Sequence, residues 1–151
     1  HILKINFNKN KIYKIDFFPN MFWKKMKLGL VGSRNFYDYK SFKSAVFQVI
    51  EEWNDEKREN NEGDIMSIVS GGAPGADTLA EKLARELNVQ MIVFKPDWTT
   101  YGKAAGIRRN TDIVNASTHM IAFPSRKGKG TQDSIRKAQK NNIPLKILFI
   151  D

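Results

Sequence analysis

Seven cationic side chains of this chain, Arg34, Lys103, Arg108, Arg109, Arg126, Lys127 and Lys129, fall in or beside four short glycine-bearing runs. The runs are Gly32-Ser33-Arg34, Ser70-Gly71-Gly72-Ala73-Pro74-Gly75-Ala76-Asp77, Tyr101-Gly102-Lys103-Ala104-Ala105-Gly106 and Pro124-Ser125-Arg126-Lys127-Gly128-Lys129-Gly130-Thr131. Glycine lets a backbone approach a ligand closely, and a turn that opens a helix aims N–H groups and the positive helix end at an anion. Guanidinium and ammonium groups beside such turns suit phosphate. None of the runs is a G-x-x-x-x-G-K-[ST] or G-x-G-x-x-G motif. A single such run is equally explained as a tight turn that needs glycine for its backbone angles; four together point to a ligand.

Each run offers distinct chemistry. Gly32, Ser33 and Arg34 bring backbone donors, a hydroxyl and a guanidinium fork. Ser70, Gly71, Gly72 and Gly75 give close approach, and Asp77 at the following helix start either holds a ribose hydroxyl or caps the helix. Trp98 and Tyr101 offer aromatic faces for a base, with core packing the competing role for Trp98. Lys103, Arg108, Arg109 and Asn110 surround the opening of the third helix, where a purely structural helix would place acids. Gly128, Gly130 and Thr131 form a second phosphate turn, with Thr131 as cap and hydroxyl donor.

These runs must be positioned by the elements between them. Leu28 to Val31, Ile65 to Val69, Met91 to Phe94, Met120 to Phe123 and Leu145 to Ile150 read as strands. Phe42, Val46, Val49, Ile50 and Trp53 share one face of a first helix, with Glu51 to Arg58 turning to solvent and Asn60 to Asp64 a polar turn. Leu79, Ala80, Leu83, Ala84 and Leu87 mark a second helix from about Ala76 to Asn88. A third, about Ala105 to Ala116, has a narrow stripe of Ile107, Thr111 and Val114. The fourth runs from Thr131 to about Asn142, with Ile135 and Ala138 inward and Pro144 beyond. Alternation of strand and helix predicts an α/β, Rossmann-like three-layer sandwich, a parallel five-stranded sheet with helices on both faces. All the glycine-bearing turns then lie at the carboxyl edge of that sheet, where open α/β sheets bind ligands.

Composition bounds the function. The 151 residues suffice for one domain with a core. No apolar run is long enough to span a membrane, and the absence of cysteine removes disulfides and thiolate metal sites, in keeping with a cytoplasmic protein. With two histidines, the first at position 1 and His119 beside a strand where it bonds to backbone, no metal site is expected. Of the net charge of +9, residues 1–27 supply +6 from seven lysines and one aspartate, and the rest supply +3 from eighteen basic and fifteen acidic side chains. The domain is thus only modestly basic, which argues against a nucleic-acid face.

Residues 1–25 read as an N-terminal extension to a domain at 26–151. They read either as sequence upstream of a natural start at Met21 or Met26, which is the favoured account, or as a β-hairpin. In the hairpin account Leu3, Ile5 and Phe7 alternate, Asn8-Lys9-Asn10 turns, and Tyr13, Ile15 and Phe17 alternate again, adding at a sheet edge.

Gly32-Ser33-Arg34-Asn35-Phe36, Ser70-Gly71-Gly72-Ala73, Gly75-Ala76-Asp77, Leu79-Ala80-Glu81, Asp97-Trp98, Tyr101 to Gly106, Arg109-Asn110, Ala122-Phe123-Pro124 and Gly130-Thr131, in this order, resemble the YspA-like branch of the SLOG superfamily. These are Rossmann-like domains of bacteria and phages, related to the lonely-guy nucleotide hydrolases and to the Rossmann domain of DNA-processing protein A. The resemblance spans residues 26–150 and implies a pocket for a nucleotide-derived ligand, such as an ADP-ribose, NAD-type or signalling nucleotide. No cofactor is required, although Mg²⁺ would accompany a diphosphate, and by analogy the chain forms a homodimer. The hydrolases carry a glutamate three residues after the threonine of their signature; here Ser134 stands there. Asp133 is one residue earlier and points about 100° away on a helix. Arg109 and Asp133 are the candidate catalytic residues. The missing glutamate places a sensor or sequestering role first, N-glycosidic hydrolysis second and DNA binding third.

Overall fold

The structure, a computed structural model, describes residues 2–8, 11–18, 26–54 and 65–151. Five parallel strands make the sheet: β3 (Met26–Gly32), β4 (Ile65–Ser70), β5 (Gln90–Val93), β6 (His119–Phe123) and β7 (Leu145–Ile147), ordered β5-β4-β3-β6-β7. This is the expected Rossmann-like sandwich.

Alternation along the strands divides the core in two. Leu28 and Leu30 of β3 and Ile121 and Phe123 of β6 pack with α1 (Tyr39–Trp53) and α2 (Ala76–Leu87), against Phe42, Val46, Ile50, Leu79 and Leu83. Val31, Met120 and Ala122 point the other way, onto α4 (Ala105–Ala116) and α5 (Gln132–Lys140) through Ile113, Val114, Ile135 and Ala138. Strands buried on both faces have no polar side to show, which is why they read as nearly continuous apolar runs. The chain leaves β3 for one face and β6 for the other. The carboxyl ends of these neighbouring strands therefore part, opening the crevice in which such sheets bind ligands.

Helix ends follow local chemistry. Asp38 caps α1 by accepting from the Ser41 hydroxyl at 2.6 Å and the Ser41 N–H at 3.1 Å, bonds that hold its carboxyl below the ordinary range. Asn88 ends α2 in the left-handed conformation, φ 53°. Asp97 caps the single turn α3 (Trp98–Tyr101), which passes through a 3₁₀ turn at 102–104 into α4.

Two expectations change. The buried stripe of α4 is Ala105, Ile113 and Val114, whereas Ile107 and Thr111 face solvent. Thr131 stands at the N-cap of α5 with helical backbone angles and makes no capping bond with its side chain. His119 accepts or donates at the Thr118 hydroxyl, 2.8 Å away, and packs against Trp53, ring centroids 5.1 Å apart.

β1 (Ile2–Asn8) and β2 (Lys11–Phe18) pair antiparallel in the hairpin that the alternation suggested, as a two-stranded sheet of their own and not as an edge of the five-stranded one. The central turn residues 9–10 and the polar turn at 60–64 lie outside the described residues. Among the described residues, no helix is long and apolar enough to cross a membrane.

Candidate functional site

Loops after β3, β4 and β6 meet over the crevice, and Ser33 is their junction. Its N–H donates to the Phe123 carbonyl at 2.9 Å, and its carbonyl accepts from the Ala76 N–H at 3.1 Å. Three strand ends are thereby fixed to one another. The same bonds mean that the Ser33 N–H is spent on the fold, contrary to its expected role as a ligand donor. Its hydroxyl accepts from the Asn35 N–H at 3.2 Å and keeps its own proton to donate.

The glycine-rich loop after β4 is likewise tied inward. Asp77 reaches back from the first turn of α2 and accepts from the Ala73 N–H at 2.9 Å. Gly75, without a side-chain bond, occupies the N-cap position. Asp77 is therefore a brace for its own loop, and it caps no helix. Its burial pushes the carboxyl above the ordinary value, against the pull of the Ala73 N–H and the nearby Arg109 guanidinium.

Arg109 comes from α4 across to the same loop. Its Nη1 donates to the Gly71 carbonyl at 2.9 Å and its Nε to Asn110 Oδ1 at 3.0 Å. A Cβ on Gly71 would overlap Nη1 and sit 2.9 Å from Cζ, so this loop is glycine where the guanidinium approaches it. Burial works against the Arg109 charge, as does the neighbouring Arg34, while the Asp77 carboxylate favours it. Arg34 itself has no hydrogen-bond or ion-pair partner among the described residues.

Two cavities open on this arrangement. The first, about 380 Å³, lies between Gly32, Ser33, Arg34, Asp77, Arg109 and Asn110 on one side and Ser125, Gly128, Gly130, Thr131 and Ser134 on the other. The second, about 320 Å³, is bounded by Gly71, Gly72, Lys95 and Trp98, and it shares Arg34, Ala73 and Arg109 with the first. At the far wall of the first cavity, Thr131 and Ser134 are 7% and 2% exposed, yet neither hydroxyl has a partner among the described residues. They belong to the N-terminus of α5, whose first N–H groups lack carbonyl partners within the helix. No heavy atom lies within 4 Å of a Cβ built on Gly130, and only Ser125 Cβ, at 3.9 Å, on Gly128. Nothing in the fold itself demands glycine there, as expected if a ligand comes close. The loop is anchored from outside by Asp151, which accepts from the Arg126 N–H at 2.7 Å and the Ser125 hydroxyl at 2.6 Å; these bonds hold its carboxyl low.

Most of the expected residues converge, and some do not. Ser70 is buried at the end of β4 and Gly75 lies beneath the Ser33-Arg34 backbone, so both support the loop from below. Trp98 is exposed at the second cavity and takes no part in the core. Tyr101, Lys103 and Arg108 border neither cavity; the Arg108 guanidinium stacks on Tyr101 at 4.2 Å. Asp133 is also outside both, accepting from Lys137 Nζ at 2.7 Å and Asn110 Nδ2 at 3.1 Å. Asn35, Lys95, Ser125 and Ser134 line the cavities without having been singled out as ligand contacts. Asn35 and Lys95 each follow closely on an apolar run, which is the signal that would have found them. Among the described residues, no group of three or more His, Cys, Asp or Glu side chains is placed to hold a metal.

Substituting Asp77 with Asn tests the cost of its burial. Asn keeps an acceptor for Ala73 and removes the buried charge. Well below pH 3.8 the carboxyl is protonated folded and unfolded; as pH rises from there through the elevated folded value, the wild type loses stability that the variant keeps. The stability of Asp77→Asn relative to wild type should therefore increase across that window in denaturant titrations at stepped pH. A difference constant with pH would contradict the assignment.

A Rossmann-like domain with a cationic, three-loop crevice at its topological switch point is the class these features define. A model of the YspA, cpYpsA-related SLOG family matches residues 30–101. The Gene 61 protein of Mycobacterium phage D29 is 38% identical over 86 residues, covering 53% of this chain and 69% of that protein. The chain belongs to the YspA, cpYpsA-related SLOG family. The X-ray structure of DNA processing protein A (DprA) from Streptococcus pneumoniae superposes with a TM-score of 0.59 at 19% identity, over 83% of this chain. The chain spans 50% of the length of that structure, and the likeness is one of fold.

Proposed function

We propose that the crevice binds a nucleotide or nucleotide-derived ligand, of ADP-ribose, NAD or signalling-nucleotide type, and that the chain works as a sensor or sequestering protein. The observation that carries this reading is the Arg34–Arg109 pair. Two guanidiniums from different loops border both cavities, and Asp77, itself resisting ionisation, is the carboxylate beside them. An anion entering between them relieves their repulsion and gains charge-assisted bonds in a partly dewatered site. The N-terminus of α5, with the Thr131 and Ser134 hydroxyls, supplies a second set of donors across the cavity.

Binding without turnover is favoured by the position of Asp133. A base or nucleophile at the ribose must reach the ligand, and this carboxylate is instead locked between Lys137 and Asn110. The cavity presents Ser134 in its place. Mg²⁺, if it takes part, would arrive with a diphosphate and be held chiefly by the ligand's own oxygens.

Native mass spectrometry of freshly purified chain, followed by denaturing extraction, tests the reading. An intact nucleotide-type molecule released in stoichiometric amount is expected. Release of free base and ribose phosphate would replace binding with hydrolysis. An empty crevice that also ignores added nucleotides would refute the anion site.

A further inference from the structure

Resting on the nucleotide reading, we propose that the second cavity is a separate anion subsite with Lys95 as its specificity residue. The ligand then carries two phosphoryl groups, one on each side of the Arg34–Arg109 pair. The two cavities are distinct spaces of about 380 and 320 Å³ joined at Arg34, Ala73 and Arg109. A single phosphate satisfies one of them. The second is unlike the first in charge: Arg34, Lys95 and Arg109 border it, and no carboxylate does.

Lys95 is held in place for this task. It is the second residue after β5, and the stem of its side chain lies over the glycine loop, with Cγ 3.5 Å and Cε 3.6 Å from where a Gly72 Cβ would be. Its ammonium has no ion-pair partner among the described residues. A lysine stem laid over apolar surface with its charge left uncompensated at a cavity mouth is poised for an anion. Trp98, 56% exposed and bordering the same cavity, offers a face for the base or sugar attached to that phosphate. The arrangement fits a diphosphate or a bisphosphate, which share two anionic centres a few bonds apart.

Isothermal titration of the full chain decides it. The probes are the 5′-monophosphates of adenosine, guanosine, cytidine and uridine, their 5′-diphosphates, and adenosine 3′,5′-bisphosphate. Wild type should bind a two-phosphoryl probe about tenfold or more tighter than the matching monophosphate, the increment of one charge-assisted contact. Lys95→Ala should cut that ratio to about threefold or less while leaving monophosphate affinity within about twofold. Lys140→Ala, at the far end of α5, removes the same charge elsewhere and should keep the full ratio. Preference for the diphosphate or for the bisphosphate then tells the two ligand forms apart. An unchanged ratio in Lys95→Ala, or equal binding of mono- and diphosphates by wild type, overturns the subsite and leaves the nucleotide reading intact. If wild type binds none of the probes, both fall.

Discussion

Gly75→Ala should lower the stability of the fold by roughly 3–5 kcal/mol, the largest effect expected of an alanine at any of the described glycines. Two costs combine. Gly75 has φ 79° and ψ −125°, a region that L-residues enter only under strain. A Cβ there would also overlap the Arg34 carbonyl group and the Ser33 carbonyl oxygen, which are main-chain atoms. Those atoms cannot yield, because the Ser33 carbonyl receives the Ala76 N–H and the Ser33 N–H is bonded to Phe123. Moving them would disturb three strand ends at once. A fall in the melting temperature on the order of 10 °C should accompany the change.

Gly71→Ala is the informative contrast. Its Cβ meets the end of the Arg109 side chain and an Asp77 oxygen at 3.1 Å, with no main-chain atom among its nearest neighbours. A flexible side chain can swing aside, so the fold should lose about 1 kcal/mol or less, while the bond from Arg109 to the Gly71 carbonyl is broken. Equal destabilisation by the two variants, measured by urea unfolding, would show that the Ser33–Gly75 contact does not set the cost.

The two glycines also mark how far the sequence could be read. Strands, helices and the carboxyl-edge location of the turns were legible because each depends on local signals: apolar runs, helical spacing, and breakers such as Pro144. Glycine in a turn is legible as well, but its reason is not. Gly75 is required by backbone from the β3 loop and Gly71 by a guanidinium 38 positions away. The same limit governs the site. Which N–H groups remain for a ligand depends on bonds such as Ser33 to Phe123, which join residues distant in sequence. Trp98 suits core or crevice equally on sequence, and its exposure at the second cavity decides between them. The capture of Asp133 by Lys137 is different in kind: an i,i+4 acid–base pair is a local helical signal, yet it was not read from the sequence.

Arg109→Ala should reduce affinity for a phosphorylated ligand by about 100-fold, because one residue serves both cavities and the loop between them. The variant loses direct contacts to the ligand and releases the Gly71 carbonyl. It also strips Asp77 of the cation that eases its ionisation, so the Asp77 carboxyl should rise further and favour its protonated form to higher pH. These consequences separate binding from folding. Circular dichroism should show an intact domain, since Arg109 reaches the crevice and not the core. NMR titration of the Asp77 carboxyl should move upward even without ligand. Arg109→Lys keeps the charge but cannot address Gly71 and Asn110 together, as the planar guanidinium does through Nη1 and Nε. It should recover a minor part of the affinity, with less effect on Asp77 than alanine. Wild-type affinity in Arg109→Ala would remove the guanidinium pair as the basis of recognition. Wild-type affinity in Arg109→Lys alone would mean that charge suffices and that the close fit of Arg109 on Gly71 belongs to the architecture of the loop.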